Sequence, residues 1–167
     1  PPESLTNGIF INAQGKRFVT EDSYGARIGY FCTQQKDQKI YMVIQNEDFD
    51  PSIYMNKLPI LAVAETIDEL EAEAGFESGS ISSTINEYNL FARNGEDQDF
   101  KKDPKWLKEV SKPPFAIIDY SFENQASPAY SEKKGPLMFT LGGLETLPTG
   151  EVLDVDGNVI PKLYAAG

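Results

Sequence analysis

The sequence predicts an α+β fold in which a small mixed sheet has two adjacent helices. Short apolar runs that are typical of strands lie near both ends of the chain, and two helix patterns with capping residues lie between them. The 167 residues are 40% hydrophobic and 11% aromatic, as in globular proteins, and we find no internal repeat or low-complexity tract. We therefore expect one domain with a hydrophobic core.

The first part of the chain predicts strands. Apolar runs at 8–12 and 17–20 flank a turn in which Gly15 can take a positive φ, and this arrangement indicates a β-hairpin. The segment 39–45 predicts a strand that is buried on both faces, because its apolar residues are consecutive.

The middle of the chain predicts two helices. Thr66 and Glu69 have the spacing of a capping box, which predicts a helix over 67–74. Ser80 is the expected cap of a second helix over 81–93, whose apolar residues recur with helical spacing. Each helix must bury its apolar side.

The last part of the chain predicts further strands after a charged loop with one helical turn. The loop covers 96–112, and the strands cover 115–120, 137–141, 151–153, 158–160 and 163–166. We expect the two helices to pack on a sheet that brings the first hairpin and these last strands together.

Composition excludes several classes of function. The chain has 26 acidic and 15 basic residues, a net charge of −11, which argues against a nucleic-acid partner. It has no histidine, which excludes Ser-His-Asp and Cys-His catalysis and histidine metal sites within it. The single Cys32 allows no internal disulfide. No apolar run of about 18 residues and no signal-peptide pattern occurs, so we expect no membrane span and a cytoplasmic location.

Three motifs leave two interpretations open. The oxygen-rich segment 154–158 is either a hairpin turn or a calcium loop, although it lacks the glutamate that closes an EF-hand loop. The acidic segment 96–99 is either a solvated loop or a metal site. The pair Gly142 and Gly143 forms either a turn or a backbone that a flat ligand can approach closely. For the first two we favour the turn and the solvated loop, and we predict no metal site.

Ordered motifs at both ends carry a resemblance to a known family. Residues 8–22, GIFINAQGKRFVTED, resemble the pattern G-I-x-V-N-x-x-G-x-R-F-V-N-E. Residues 140–144 and 150–167 resemble T-x-G-G-L followed by G-x-V-L-x-x-x-G-x-x-I-P-G-L-Y-A-A-G. Residues 85–89 and 94–100 resemble V-x-x-Y-N and G-x-D-x-D-F. Together they resemble the capping domain of the fumarate reductase/succinate dehydrogenase flavoprotein superfamily.

The resemblance implies that residues 1–167 are the capping, catalytic domain of a two-domain flavoprotein. In that family an FAD-binding, Rossmann-like domain with a Gly-x-Gly-x-x-Gly turn lies upstream, and this chain lacks that motif. The resemblance places Gly142, Gly143, Ala166 and Gly167 at the FAD. We expect the chain to be a piece of a longer protein, because it ends where a strand runs into glycine.

Two departures from the family pattern bear on the substrate. Fumarate-reducing members have a histidine just before T-x-G-G, where this chain has Phe139. They also place a proton-donating arginine four residues after the N-E pair, where this chain has Gly25, and the nearest arginine is Arg27. Phe139 and Tyr30 suit an apolar substrate, which indicates the 3-ketosteroid dehydrogenase branch.

The expected catalytic residues are Tyr30 and Arg27. Tyr30 is the candidate hydrogen-bond donor or proton relay toward a substrate carbonyl, and an ordinary packed tyrosine is the alternative. Arg27 is the candidate proton-relay residue, and a structural ion pair with Asp22 or Glu21 is the alternative.

The expected substrate-binding residues are Tyr24 and Phe139. Tyr24 is a candidate substrate-facing hydroxyl, while Phe139 offers apolar contact and no charge for a carboxylate. Because alternate residues of a strand face opposite sides, a core position for Phe139 remains open.

Together these expectations imply a type of reaction. The resemblance implies an FAD-dependent oxidoreductase that acts on a carbon–carbon bond next to a carbonyl, with a small apolar ketone as substrate and an electron acceptor or donor that the sequence does not identify. A 3-ketosteroid dehydrogenase is the first hypothesis. The alternatives are a fumarate reductase-like dicarboxylate reductase and a non-enzymatic ligand- or calcium-binding module.

Overall fold

The structure is a computed structural model that describes residues 6–49, 58–124 and 142–166. Within these ranges the elements are β1 (Ile9–Asn12), α1 (Gly25–Thr33), β2 (Ile40–Gln45), β3 (Ile60–Ala64), α2 (Ile67–Ala74), α3 (Ser80–Asn94), β4 (Phe115–Asp119), β5 (Glu151–Leu153) and β6 (Val159–Tyr164). The α+β class with two adjacent helices is confirmed. The strand predicted at 137–141 lies outside the described residues. None of the described helices is long and apolar enough to cross a membrane.

A four-stranded sheet in the order β1-β2-β4-β3 forms the centre of the fold. Ile9 of β1 lies opposite Val43 of β2, and Met42 of β2 lies opposite Ile118 of β4. All three pairings are antiparallel, so this sheet is not of the mixed kind that we expected. Strand β2 has neighbours on both sides, which agrees with its nearly continuous run of apolar residues.

The first hairpin forms only in part. Its turn is present, because Gly15 has a φ of 70° and its N–H donates to the carbonyl of Asn12 at 2.9 Å. After the turn only Arg17 bridges back, to Ile11. The expected strand at 17–20 is therefore wrong, since the chain leaves the sheet and turns again before α1. Strand β1 pairs with β2 instead.

Strand β4, the first of the predicted last strands, joins this sheet between β2 and β3, as expected. Among the described strands β5 and β6 pair only with each other, so the expected union with the first hairpin is wrong for these two strands. The turn between them lies at 154–157, as predicted. The runs at 158–160 and 163–166, which were expected to be two strands, form the single strand β6. The pairing of β6 with β5 shifts in register between Glu151 and Leu153.

Lys162 in β6 has a left-handed backbone conformation with a φ of 67°. The family pattern has glycine here, and a Cβ in this conformation costs about 1–2 kcal/mol. We expect Lys162→Gly to raise the free energy of unfolding by about 1 kcal/mol in urea titrations. Lys162→Ala removes the same charge but keeps the Cβ, so it should show no such gain. Equal changes in the free energy of unfolding of the two variants would contradict the explanation by backbone conformation.

Helices α2 and α3 begin with different kinds of cap. In α2 the predicted capping box is present, with Thr66 accepting from the Glu69 amide and Glu69 accepting from the Thr66 amide, both at 3.2 Å. In α3 the expected Ser80 cap is wrong. The carboxylate of Glu71, from α2, accepts the N–H groups of Gly79 and Ser82 at 2.7 and 2.6 Å.

Both faces of the sheet are covered. On one face the buried side chains of the sheet pack with those of α2 and α3, including Leu70, Ile81, Ile85 and Tyr88. On the other face Phe10, Met42, Ile44 and Ile118 contact α1 through Ile28 and Phe31. Helix α1 thus lies across the sheet from the two central helices.

Candidate functional site

Helix α1 carries the catalytic candidates, and Tyr24 directly precedes it. Its inner residues pack on the sheet, which turns other positions toward solvent. Tyr24 is 65% exposed and Tyr30 is 55% exposed. Neither hydroxyl forms a hydrogen bond with another described residue. Tyr30 is thus a surface residue rather than a core residue, and both phenols are open to a ligand.

The Arg27 side chain lies beside the aromatic rings of α1. Its guanidinium carbon is 5.7 Å from the centre of the Phe31 ring, and the Tyr30 ring meets Phe31 edge-on at 5.5 Å. In the part of the chain that the structure describes, Arg27 forms no ion pair, so the expected pair with Asp22 or Glu21 is wrong. The carboxylates of Asp22 and Glu21 have other partners, described below.

A buried ionic cluster lies just before α1. Arg17 forms two hydrogen bonds with the carboxylate of Glu21, at 2.9 and 2.8 Å, and its other terminal nitrogen is 2.7 Å from Asp97. The side chain of Arg17 is 6% exposed, and those of Glu21 and Asp97 are fully buried. Charges removed from water to this degree are costly unless they are paired, which the geometry here provides.

Lys102 completes this cluster. Its side chain is fully buried, and its Nζ lies 3.2 Å from Glu21 and donates to the hydroxyl of Tyr88 at 3.0 Å. Both Arg17 and Lys102 lie over the Tyr88 ring, at 5.0 and 5.1 Å from its centre. The two positive charges of Arg17 and Lys102 balance the two negative charges of Glu21 and Asp97. We call Arg17, Glu21, Asp97 and Lys102 the buried ionic cluster.

The pKa values in this cluster follow from the pairing. Burial disfavours the charged form of Arg17, but the carboxylates of Glu21 and Asp97 outweigh it and raise the pKa of Arg17. Burial likewise opposes ionisation of Asp97, but Arg17 and the amides of Phe100 and Lys102 lower the pKa of Asp97. Both groups therefore stay charged at neutral pH.

The cluster was not predicted from the sequence. The acidic segment 96–99 was interpreted as a solvated loop, and that is wrong for Asp97, which is buried and also accepts from the amides of Asp99 and Phe100 at 3.1 Å. The sequence motifs that contain Arg17 and Asp97 lie far apart in the chain, and nothing in their spacing links them.

A small cleft opens beside the cluster. Its volume is about 110 Å³, and it is lined by Lys16, Arg17, Thr84, Glu87, Tyr88, Phe91, Asp99 and Phe100. Ligand pockets usually measure about 300–1,000 Å³. This cleft is therefore too small for a steroid.

The cofactor candidates lie in the segment that leads into β5 and at the end of β6. Gly142, Gly143 and Ala166 are exposed. Gly167 and the substrate candidate Phe139 lie outside the described residues. Among the described residues no hydrogen bond or ring contact joins 142–166 to α1.

The oxygen-rich segment at 154–158 forms a hairpin turn. The carboxylate of Asp154 accepts from the amides of Asp156 and Asn158 at 2.9 Å, and these bonds hold the turn. The amide of Asn158, then that of Asp156, lowers the pKa of Asp154. In the described ranges no group of three or more acidic or cysteine side chains is placed to hold a metal ion.

Comparison with known proteins identifies the family. Residues 5–167 match the FAD binding domain family. The chain belongs to this family. The resemblance to the flavoprotein superfamily is thereby confirmed, and FAD is the cofactor of the family.

Relatives from several organisms are similar over much of the chain. A vinyl phenol reductase of Lactiplantibacillus plantarum is 34% identical over 72% of this chain and 22% of its own length. An NADH:acrylate oxidoreductase of Vibrio harveyi is 32% identical over the whole chain and 16% of its own length. The crystal structure of a 3-ketosteroid Δ4-(5α)-dehydrogenase of Rhodococcus jostii, in complex with 4-androstene-3,17-dione, is 32% identical with a TM-score of 0.68, over 99% of this chain and 33% of that chain.

The chain spans a third or less of the length of these relatives. The backbone at the candidate cofactor position is open. A Cβ placed on Gly142 or Gly143 would meet no atom within 4 Å, so open space borders the backbone there. Gly142 has a φ of 155°, which glycine adopts most readily. The backbone at Gly142 and Gly143 thus allows the close approach of a flat ring, and together with Ala166 these glycines remain the predicted contacts of FAD.

Proposed function

We propose that this chain is the capping part of an FAD-dependent oxidoreductase that acts on a carbon–carbon bond next to a carbonyl, and that its substrate is a 3-ketosteroid. In this proposal residues 1–167 cover the substrate, and an FAD-binding, Rossmann-like domain lies in another part of the protein. The resemblance of the motifs and the membership of the FAD binding domain family support it.

The placement of the arginines is the observation that carries the choice of substrate. The chain has three arginines and no histidine. Arg17 is enclosed by two buried carboxylates, and Arg93 pairs with Glu109 at 2.7 Å. Only Arg27 remains without a carboxylate partner among the described residues. A dicarboxylate needs a cation or several hydrogen-bond donors at each end. Among the arginines of this chain, Arg27 alone offers such a cation.

The surface near α1 favours an apolar, ring-shaped substrate. Tyr24 and Tyr30 present exposed aromatic rings, which pack well on apolar ligands and keep a hydroxyl for a carbonyl. The Rhodococcus relative was crystallised with a steroid that has a ketone at each end. Phe139, which lies outside the described residues, remains a predicted apolar contact.

The chemistry divides between the cofactor and the chain. FAD, when bound, supplies the acceptor or donor of a hydride at the substrate carbon β to the carbonyl. The hydroxyl of Tyr30 donates to the carbonyl oxygen, which gains charge when the α proton leaves. Arg27 passes that proton toward solvent in dehydrogenation, or from solvent in reduction.

A second candidate is the reduction of a small conjugated alkene. The identities of 34% and 32% to a vinyl phenol reductase and an acrylate oxidoreductase favour it. Arg27 alone could pair with the single carboxylate of an acrylate. For both candidate functions we predict a cytoplasmic location and an external electron carrier.

A substrate panel on the full-length protein tests the proposal. Dehydrogenation of 4-androstene-3,17-dione and of its saturated counterpart is measured with an artificial electron acceptor, and reduction of acrylate and fumarate with a reduced viologen dye. We expect kcat/KM for a steroid to exceed that for either acid by at least about a hundredfold, because Arg27 is the only arginine among the described residues that is left to pair with a carboxylate. Efficient acrylate reduction without steroid turnover would favour the second candidate, and efficient fumarate reduction would overturn both.

A further inference from the structure

Helix α1 has little local support for its position. It has nine residues, two of which are glycines, and its N-terminus has no side-chain cap and no acidic residue in the first turn. Short helices with glycine are marginal on their own, and a missing cap weakens them further. Contacts outside the helix must therefore fix its position.

Besides the packing of Ile28 and Phe31 on the sheet, contacts of the segment just before the helix hold its N-terminal end. Residues 17–22 are joined to residues 97–103 at three points. Arg17 pairs with Asp97 at 2.7 Å, and Glu21 lies 3.2 Å from Lys102. The carboxylate of Asp22 accepts from the Asp103 amide at 2.8 Å.

The anchored segment is rigid for a physical reason. Glu21 and Lys102 are fully buried, so neither can move away from its partners without leaving a charge unpaired in a dry site. Tyr24 follows Asp22 by two residues, and α1 begins one residue later. A shift of the anchor would therefore move Tyr24 and the first residues of α1.

We propose that the buried ionic cluster and Asp22 position helix α1, so that Tyr24, Arg27 and Tyr30 meet the substrate in the geometry needed for turnover. The proposal rests on the proposed function for the role of these three side chains. Lys102 and Asp22 are then positioning residues for a reaction whose reacting atoms neither of them touches.

Turnover of the full-length protein tests the effect on the site. Lys102→Met and Asp22→Ala should each lower kcat/KM about tenfold to a hundredfold per bound FAD, because small misplacements of catalytic groups have effects of this size. Asp22→Ala removes an exposed hydrogen bond from the Asp103 amide and a second one from the Thr20 hydroxyl, but no buried charge, so it keeps the test valid if Lys102→Met fails to fold. The substrate is whichever member of the panel the wild-type protein converts.

Two matched variants separate positioning from stability. Lys101→Met removes an exposed lysine of the same loop that pairs with Glu96 at 3.1 Å, and it should leave kcat unchanged. Asp22→Asn keeps an oxygen that can accept from the Asp103 amide, and it should restore kcat. A loss in Asp22→Ala that Asp22→Asn does not restore would overturn the positioning role.

Amide hydrogen exchange over residues 25–33 tests the anchor without any substrate. Exchange in this helix should become at least about tenfold faster in Asp22→Ala and stay at the wild-type rate in Lys101→Met. An unchanged rate in Asp22→Ala would overturn the anchor, whatever the substrate is. Faster exchange with wild-type kcat would overturn the link between the anchor and catalysis. A failure of the steroid assignment alone leaves the exchange result intact, so the two failures are distinguishable.

Discussion

Replacing Arg17 by methionine should lower the free energy of unfolding by about 3–5 kcal/mol. The guanidinium pairs with Glu21 and Asp97, whose side chains are both fully buried. Without it Asp97 loses its ion-pair partner, and Glu21 keeps Lys102 and the amide of Phe10. Methionine fills much of the same volume, so the loss reports unpaired buried charge rather than a cavity.

Arg93→Met is the matched control for this experiment. Arg93 pairs with Glu109 at 2.7 Å, the distance that Arg17 keeps from Asp97, but both partners are largely exposed. Exposed pairs contribute about 0–1 kcal/mol, so this variant should unfold near the wild-type urea midpoint. Equal losses in the two variants would contradict the special role of burial.

The pH dependence of stability should follow the same cluster. Because the folded pKa of Asp97 lies below its ordinary value, its contribution to stability is present above about pH 4 and is lost as the pH falls through the folded value. The acid side of the unfolding profile should therefore be less steep in Arg17→Met than in the wild-type protein, which serves as a second readout of that variant.

Tyr30→Phe should lower kcat of the full-length enzyme by about a hundredfold. The change removes one hydroxyl and keeps the ring, so the edge contact with Phe31 persists. The hydroxyl has no hydrogen-bond partner among the described residues, and it is therefore available to a substrate carbonyl. Its loss removes a donor aimed at the oxygen where negative charge develops.

Two other tyrosines serve as comparisons. Tyr24→Phe should raise KM more than it lowers kcat, because Tyr24 is expected to bind substrate. Tyr41→Phe should change neither, since the Tyr41 ring packs on Phe76, on the opposite face of the sheet from α1. A wild-type kcat in Tyr30→Phe would remove Tyr30 from the reaction.

Local signals predicted much of the fold. The capping box of Thr66 and Glu69 depends on contacts within a few residues, and the consecutive apolar residues of β2 directly indicate burial on both faces; the structure confirms both. The turn at 154–157 also formed as expected, because the Asp154 side chain bonds amides just beyond it.

Features that depend on distant partners were not predictable. The cap of α3 comes from Glu71 in the preceding helix, not from Ser80. The buried ionic cluster joins Arg17 to Asp97 across nearly half of the chain, and a buried aspartate has the same sequence pattern as a solvated one. The pairing of β1 with β2 instead of its hairpin neighbour also depends on tertiary packing.

The reduction of bound flavin by a steroid tests the central proposal most directly. The full-length protein is mixed without oxygen with the saturated counterpart of 4-androstene-3,17-dione, and the flavin absorbance is followed through one turnover. The proposal predicts full bleaching of the flavin at a rate no slower than kcat, with formation of one conjugated ketone per FAD. A flavin that stays oxidised with this steroid but reoxidises rapidly with acrylate or fumarate after chemical reduction would contradict it.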